Sequence, residues 1–348
     1  MSEHVWLKRV IYFLLIALLI AGIKGFSLYR KAFAPNIFTK DKKEVYLYIP
    51  TGSTYKDVLE LIRTENLIRN TQSFEWAATK KNYPNNIHPG RYKVKNRMSN
   101  NEFINILRSG KQDPVLLTFN NLRTEKQLAN RLAEQLEIDS PDIMKYFQSD
   151  SICEEYGFDK YTFKCIFIPN TYKVYWNISV DGLFDRMLSE YDAFWNKKRD
   201  RKVEEIGMTK EEVITLASIV NEETRKDDEK RRIAGVYMNR LNKGIRLHAD
   251  PTVIYATGDF SMKRVLRKHY RINSTFNTYK YAGLPPGPIC FPEISSIDAV
   301  LKYEKHKYLY FCAKPDFSGY HNFAKTLKEH NRNAELYRRE LNKRRIYR

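Results

Sequence analysis

From Val10 to Ile23 the chain reads Val-Ile-Tyr-Phe-Leu-Leu-Ile-Ala-Leu-Leu-Ile-Ala-Gly-Ile, without a single charge. In lipid such a run has essentially one solution, a helix, because only a helix satisfies every backbone N–H and C=O within one segment. The run itself is shorter than the roughly 20 residues needed to cross a bilayer. Lys24 can snorkel, and Gly25-Phe-Ser-Leu-Tyr29 extends the segment to spanning length, with Tyr12 and Tyr29 suited to the two interfaces. A cleaved signal peptide is the competing reading, but it needs a small-x-small site just past the apolar core. Ala21-Gly-Ile-Lys24 is a poor one, so an uncleaved anchor over residues 10–29 is preferred. Lys8 and Arg9 are answered by Lys24, Arg30 and Lys31, and the flanking charges leave sidedness open. Residues 30–43, with Pro35 and alternating charge, read as a linker.

The whole chain, 348 residues, is long enough for two domains, and with 43% apolar residues and no low-complexity tract it should fold. Its net charge of +19 points to an acidic partner such as anionic lipid, an acidic polymer or nucleic acid. The cations are spread among acids, with the densest run in the tail from Arg338 to Arg348. No zinc finger, RNP motif or Gly-rich phosphate loop accompanies them, which argues against nucleic acid. Cys153, Cys165, Cys290 and Cys312 form no C-x-x-C and sit beside apolar residues, the pattern of buried free thiols. No H-E-x-x-H occurs, so neither a metal nor a cofactor is expected.

Residues 44–110 read as a βααβ-like module. A strand over Val45–Pro50 leads to a helix capped by Ser53, then a second helix over Thr71–Lys80, a returning strand at Gly90–Val94, and a helix opened by the capping box Ser99-x-x-Glu102 and stopped by Gly110. Residues 113–348 form a larger unit. It has a strand at Val115–Phe119 and helices over Thr124–Leu136, Ser140–Gln148, Asp181–Lys197, Thr209–Thr224 and Asp228–Lys243. Beyond Gly244 the pattern is loops and short strands, including a buried strand at Tyr308–Ala313. The fold class is α+β, with a single N-terminal transmembrane helix.

The helix at Thr209–Thr224 carries two adjacent acids. Stepping back from Glu223 by three, four and seven residues meets Val220, Ile219 and Leu216. The same steps from Glu222 meet Ile219, Ser218 and Thr215, with Glu211 a turn further. Glu222 therefore leans to the polar face and Glu223 toward the apolar one. A desolvated acid has a raised pKa and can hold a proton near neutral pH, as a general acid must. A buried Glu that caps or pairs with an arginine is the alternative.

Six phrases occur in one order: Ala217-Ser-Ile-Val-Asn-Glu-Glu-Thr224, Asn239-Arg-Leu241, Leu247-His-Ala-Asp-Pro-Thr-Val-Ile-Tyr-Ala256, Phe276-Asn-Thr-Tyr279, Gly283-Leu-Pro-Pro-Gly-Pro-Ile289 and Gly319-Tyr-His-Asn-Phe323. Together they resemble the YceG-like endolytic murein transglycosylases, the MltG family, over about residues 209–331. Upstream, Phe167-Ile-Pro-Asn-Thr-Tyr172 resembles that family's F-x-P-D-T-Y segment with Asn170 for the Asp. Residues 44–110 resemble its LysM-like subdomain. The family acid lies in a phrase A-S-I-[VI]-x-x-E, which places it on Glu223. Position 221, often acidic in relatives, is Asn221 here. Lys164-Cys165 stands where relatives often have Glu-Gly, His248 where Gln is common, and Phe276 where Tyr is. Phe291 and Glu293 flank Pro292 where smaller residues are usual.

The resemblance implies a membrane-anchored enzyme cutting the MurNAc–GlcNAc bond of nascent glycan strands to leave 1,6-anhydro ends, with Glu223 acting first as acid and then as base. It implies residues 1–9 in the cytoplasm, the catalytic domain on the extracytoplasmic or periplasmic side, and peptidoglycan, the membrane and peptidoglycan synthases as partners. Other motif residues are substrate-binding candidates with ordinary alternatives. Asp250 orients a sugar hydroxyl or forms a turn. Asn277 and Tyr279 bond and stack on a sugar, or serve as a satisfied loop amide and a core ring. Arg240 pairs with a substrate carboxylate or is solvated, with Asn239 beside it in the same phrase. His321 lines the cleft or is structural, and Gly283–Gly287 builds a rigid wall. A non-catalytic wall-binding scaffold and a hydrolytic muramidase are the rival functions.

Overall fold

The computed structural model of the chain describes residues 3–40, 42–262 and 265–344 and is mixed α+β. The basic tail is therefore described only as far as Arg344, and Arg345–Arg348, like Met1 and Ser2, lie outside the described residues. Helix α1 (Glu3–Phe33) is longer than the apolar run, because nothing opposes helix until Pro35. Phe13, Leu18 and Phe26 are exposed along it at 71, 68 and 64%, and Val5–Phe33 is the one helix among the described residues long and apolar enough to cross a membrane. Its length of roughly 43 Å exceeds a hydrocarbon core of about 30 Å.

Two compact units follow from the chain's contacts: Met1–Leu116 with Lys173–Ile178, and Leu117–Tyr172 with Ser179–Arg348. In the first, the expected linker is partly ordered. Strand β1 (Pro35–Ile37) pairs antiparallel with β4 (Met98–Ser99) because Ile37 is fully buried and Asn36 is held by side-chain hydrogen bonds. A three-residue strand carries too little pattern to be read from sequence. Strands β2 (Glu44–Ile49) and β3 (Gly90–Lys95) pair antiparallel from Glu44↔Lys95 to Ile49↔Gly90. Between them lie α2 (Tyr55–Thr64) and α3 (Thr71–Lys80), and α4 (Asn100–Ser109) follows. The α2 cap is Thr54 and not Ser53: its hydroxyl accepts from Asp57 N while Asp57 returns the bond. Ser99 and Glu102 form the expected box, and Gly110 ends α4 at φ 64°. Ile49, Val58, Ile62, Phe74, Tyr92, Phe103 and Leu107 form one core.

Strands β5 (Val115–Phe119) and β6 (Asn170–Val174) pair with each other. The second unit continues through α5 (Glu125–Ala133), α6 (Ser140–Gln148), α7 (Asp150–Glu155), α8 (Val180–Phe194), α9 (Lys197–Ile206), α10 (Lys210–Glu223) and α11 (Asp227–Asn242). The helix read as Asp181–Lys197 thus ends at Phe194, and a separate α9 starts at the Asn196 cap, whose side chain accepts from Lys198 N and Arg199 N. The stretch past Gly244 is not only loops and strands. It contains α12 (Asp250–Thr257), α13 (Ile294–Leu301), the antiparallel strands β7 (Tyr310–Ala313) and β8 (His321–Ala324), and α14 (Leu327–Lys343). The Pro-rich punctuation around α12 and α13 masks helices of two turns. Strand β7 is half-exposed along its length, not buried, since it belongs to a two-stranded ribbon.

Phe147, Phe163, Phe167 and Phe184 pack as an aromatic cluster with centroids of 5.1–5.7 Å between contacting rings. Helices α10, α11 and α13 pack on one another. Gly235 on α11 is needed there: a Cβ would meet the Glu304 carbonyl oxygen at 2.3 Å. Cys153, Cys165 and Cys290 are buried free thiols, and Cys312 is half-exposed.

Candidate active site

Helix α10 begins with a capping box, Thr209 to Glu212 N and Glu212 back to Thr209 N, and ends at Glu223 because Thr224 is extended at φ −147°, ψ 144°. Every residue from Val213 to Val220 is buried, including Thr215 and Ser218. In this helix the polar face that carries Glu222 is thus largely covered, with Glu212 in the first turn exposed. Its polar stripe faces protein: Ser218 Oγ donates to Thr215 O at 2.7 Å and accepts from Ile289 N at 2.9 Å. The Pro-rich segment before Ile289 thus packs near α10. Gly287 lies so close to the Tyr161 carbonyl that a Cβ would approach it to 2.2 Å. Asn221 ties α10 to α13, its Oδ1 accepting from Ser296 Oγ at 3.0 Å and Glu293 N at 3.2 Å. Glu222 is neutralised by Arg123, whose Nε and guanidinium NH2 reach its Oε2 at 2.9 and 2.6 Å. The two neighbouring acids are separated by partner: Glu222 is ion-paired, while Glu223 meets no cation among the described residues.

Glu223 projects from the end of α10 into a cleft of about 460 Å³. Tyr237 Oη on α11 donates to its Oε1 at 2.5 Å. Burial pushes the Glu223 carboxyl from 4.5 up to about 7, the negative charges of Asp250 and Glu222 add to the rise, and the Tyr237 hydrogen bond opposes it. The carboxyl end of a helix dipole also disfavours a carboxylate there. A carboxyl half-protonated near neutrality can donate a proton in one step and accept one in the next.

A second carboxylate shares the cleft. Asp250 sits in the first turn of α12, where acids favour the helix dipole. Its Oδ1 accepts from Tyr279 Oη at 2.6 Å and Tyr270 Oη at 3.4 Å. It opens a helix and not a turn. Tyr279 is the centre of a three-ring stack, with Tyr270 at 4.0 Å and His248 at 4.7 Å between centroids. His248 adopts the left-handed φ of 52°, uncommon for a non-glycine residue, and this lays its ring within 4° of parallel to Tyr279. Burial, with the charges of Arg240 and Arg246, lowers the His248 pKa.

Arg240 borders the same cleft and is 6% exposed, so it is not the solvated arginine its charged helix would allow. Its Nε donates to Arg246 O at 2.9 Å and NH1 to Leu309 O at 2.8 Å. His321 on β8 also lines the cleft, held by Glu229: the backbone N donates to Oε1 at 3.0 Å and Nδ1 lies 2.9 Å from Oε2. Two candidates face elsewhere. Asn239 Nδ2 donates to His306 O and Tyr308 O at 2.8 and 2.9 Å. Asn277 is fully buried, donating to Tyr270 O and Ile272 O and accepting from Tyr279 N, which holds the loop bearing Tyr279. Both amides are spent on backbone, as buried amides must be. Lys164 is buried too, ion-paired to Glu125 at 3.0 Å and bonded to Tyr255 Oη at 2.9 Å.

Sequence reasoning missed Tyr237, and with it Tyr310, Phe311 and Cys312 of β7, which form a cleft wall. Tyr237 precedes the Asn239-Arg240 phrase by two residues, so its place on that helix was the available signal. Replacing Tyr237 with Phe removes the one interaction that holds the Glu223 pKa down. In the Tyr237→Phe variant, NMR of side-chain-labelled glutamate should find Glu223 titrating at a higher pH than in the wild type. An unchanged or lower midpoint contradicts the hydrogen bond's role.

Against known proteins, residues 47–336 match the sequence profile of the YceG-like family. The endolytic murein transglycosylase of Bacillus subtilis is 28% identical over 332 residues, covering 90% of this chain and 91% of that one. The protein of the same name from Streptococcus pneumoniae (strain D39) is 27% identical over an alignment spanning 98% of this chain and 67% of that one. A crystal structure of a YceG-like protein from Listeria monocytogenes superposes with a TM-score of 0.56 at 29% identity, covering 84% of this chain and 99% of that one.

Proposed function

The chain belongs to the YceG-like family, and from that premise and the cleft around Glu223 we propose a membrane-anchored endolytic lytic transglycosylase of peptidoglycan. The observation that carries the mechanism is a carboxyl with a pKa near 7 at the end of a buried helix, open to a cleft and without a cationic partner among the described residues. Glu223 protonates the oxygen leaving C1 of MurNAc as the glycosidic bond breaks. The resulting carboxylate then takes the proton from the C6 hydroxyl as that oxygen bonds to C1. A 1,6-anhydro ring closes, the proton count balances, and no water is consumed. Tyr237 holds the carboxyl in place through both steps. The Tyr270–Tyr279–His248 stack offers flat apolar faces for a sugar ring, Asp250 a hydrogen-bond acceptor for a hydroxyl, and Arg240 and His321 polar contacts. Asn239 and Asn277 act by positioning the segments around them.

In this reading residues 44–110 are a LysM-like subdomain that holds glycan. Helix α1 anchors the chain with the remainder extracytoplasmic, beside the synthases whose nascent strands it terminates. Asp250 is the one feature favouring a muramidase, since a hydrolase places two carboxylates about the bond. Two tyrosine hydroxyls donate to its Oδ1 and stabilise it as a charged acceptor, the role that the single-acid route gives it. Mass spectrometry of digested sacculi separates the readings. Anhydro-MurNAc ends are expected, reducing MurNAc ends mean hydrolysis, and intact strands mean a binding protein.

A further inference from the structure

A second cleft, of about 620 Å³, lies in the first unit where α1 ends. One wall is apolar and belongs to the span, Ile23 and Phe26, which are 61 and 64% exposed. Further along the same face of α1 the lining turns cationic with Arg30 and Lys31, joined by Arg69 from the turn before α3. Among the described residues none of the three is in an ion pair. Lys31 instead lies 5.9 Å from the Trp76 ring and Arg69 6.0 Å from Phe38. The α3 carboxylate, Glu75, is taken by Arg63 at 2.6 Å. No carboxylate among the described residues competes with a ligand for these three exposed cations.

The site is held rigidly. Asn100 Nδ2 donates to Lys31 O at 2.8 Å, fixing the end of α1 to α4. Asn36 donates to Asn100 Oδ1 at 2.8 Å and to Asn70 O at 3.0 Å, and accepts from Asn70 N at 2.8 Å. A fully satisfied, partly buried amide network of this kind rigidifies its surroundings. The cations also sit at the right depth: from Val10 to Arg30 a helix rises roughly 30 Å, the thickness of the hydrocarbon core. An apolar wall continuing into the bilayer and a phosphate-binding rim at its surface match an amphiphile with an anionic head.

We propose that this cleft binds the phosphate headgroup of an anionic phospholipid, seating the first unit on the membrane surface. The inference rests on reading α1 as a membrane span. Full-length protein is released from micelles carrying equal phosphatidylglycerol and phosphatidylcholine, and bound lipid is read by native mass spectrometry. Phosphatidylglycerol should be retained over phosphatidylcholine, and the Arg30→Gln/Arg69→Gln variant should lose roughly tenfold of that preference, as expected for removing two interfacial cations. Equal retention of the two lipids, or a preference unchanged in the variant, overturns the proposal. Displacement of the lipid by inorganic phosphate overturns the lipid as the source and assigns a free phosphate site. Carbonate extraction tests the span separately: release of the wild-type chain from membranes sinks the anchor reading, whatever lipid is found.

Discussion

Glu223→Gln should lower the rate of glycan cleavage by roughly a thousandfold, the range expected when a lone general acid–base is removed. The amide matches the carboxyl in shape and keeps an oxygen for the Tyr237 hydroxyl, but it cannot release a proton to the leaving oxygen. Binding to sacculi should survive, because the ring stack and Arg240 are untouched. The wild-type rate should also carry the signature of that proton. Only the neutral carboxyl can begin the reaction, so activity should fall as pH rises beyond about 7, toward tenfold per unit. Anhydro-muropeptide release measured against pH in both proteins tests the two statements together. Full activity in the folded variant would exclude Glu223 as the acid.

The same substitution should make the protein more stable at alkaline pH. The Glu223 carboxyl has a folded pKa near 7 against 4.5 for the free group. The folded state therefore binds more protons between these values, and stability falls as pH rises through that window. Below about 4.5 both states hold the proton and the group costs nothing. Above about 7 both have released it, and the full penalty is present. The shift corresponds to at most ~3 kcal/mol, and about 2 kcal/mol is expected after allowing for water in the open cleft. The glutamine amide has no charge to desolvate, so urea denaturation should give equal stabilities near pH 4 and a more stable variant at pH 8. A difference that does not grow with pH would mean that the carboxyl is well solvated when folded.

Much of the local structure was written in short-range chemistry. The capping boxes at Ser99 and Thr209, the αL stop at Gly110, and the helices at Thr71–Lys80 and Ser140–Gln148 depend on residues within a turn of one another. What misled were cases where distant partners decide. Residues 30–43 looked like a linker, yet Asn36 and Ile37 are ordered by residues 70 and 98–100. The helical period placed Glu222 on the polar face but could not name what it meets there, and Arg123, 99 residues away, is that partner.

Glu223 could be selected from the sequence because its phrase and its helical neighbours agree, and both are local. Asp250, Tyr279, Arg240 and His321 could be nominated, and the fold does bring all four to one cleft with Glu223. It turns Asn239 and Asn277 away, because a buried amide is worth more bonded to backbone than exposed to a cleft that other groups already fill. It also supplies Tyr237, which no pattern singled out. The apolar N-terminal run, most of the order of elements and the nomination of Glu223 could be read residue by residue, since periodicity, capping and phrase are properties of neighbours along the chain. The acid's proton affinity was legible only in direction, from the apolar face of its helix. Burial, the approach of Asp250 and the hydroxyl of Tyr237 set it, and each is a distance through space between segments that the chain does not place side by side.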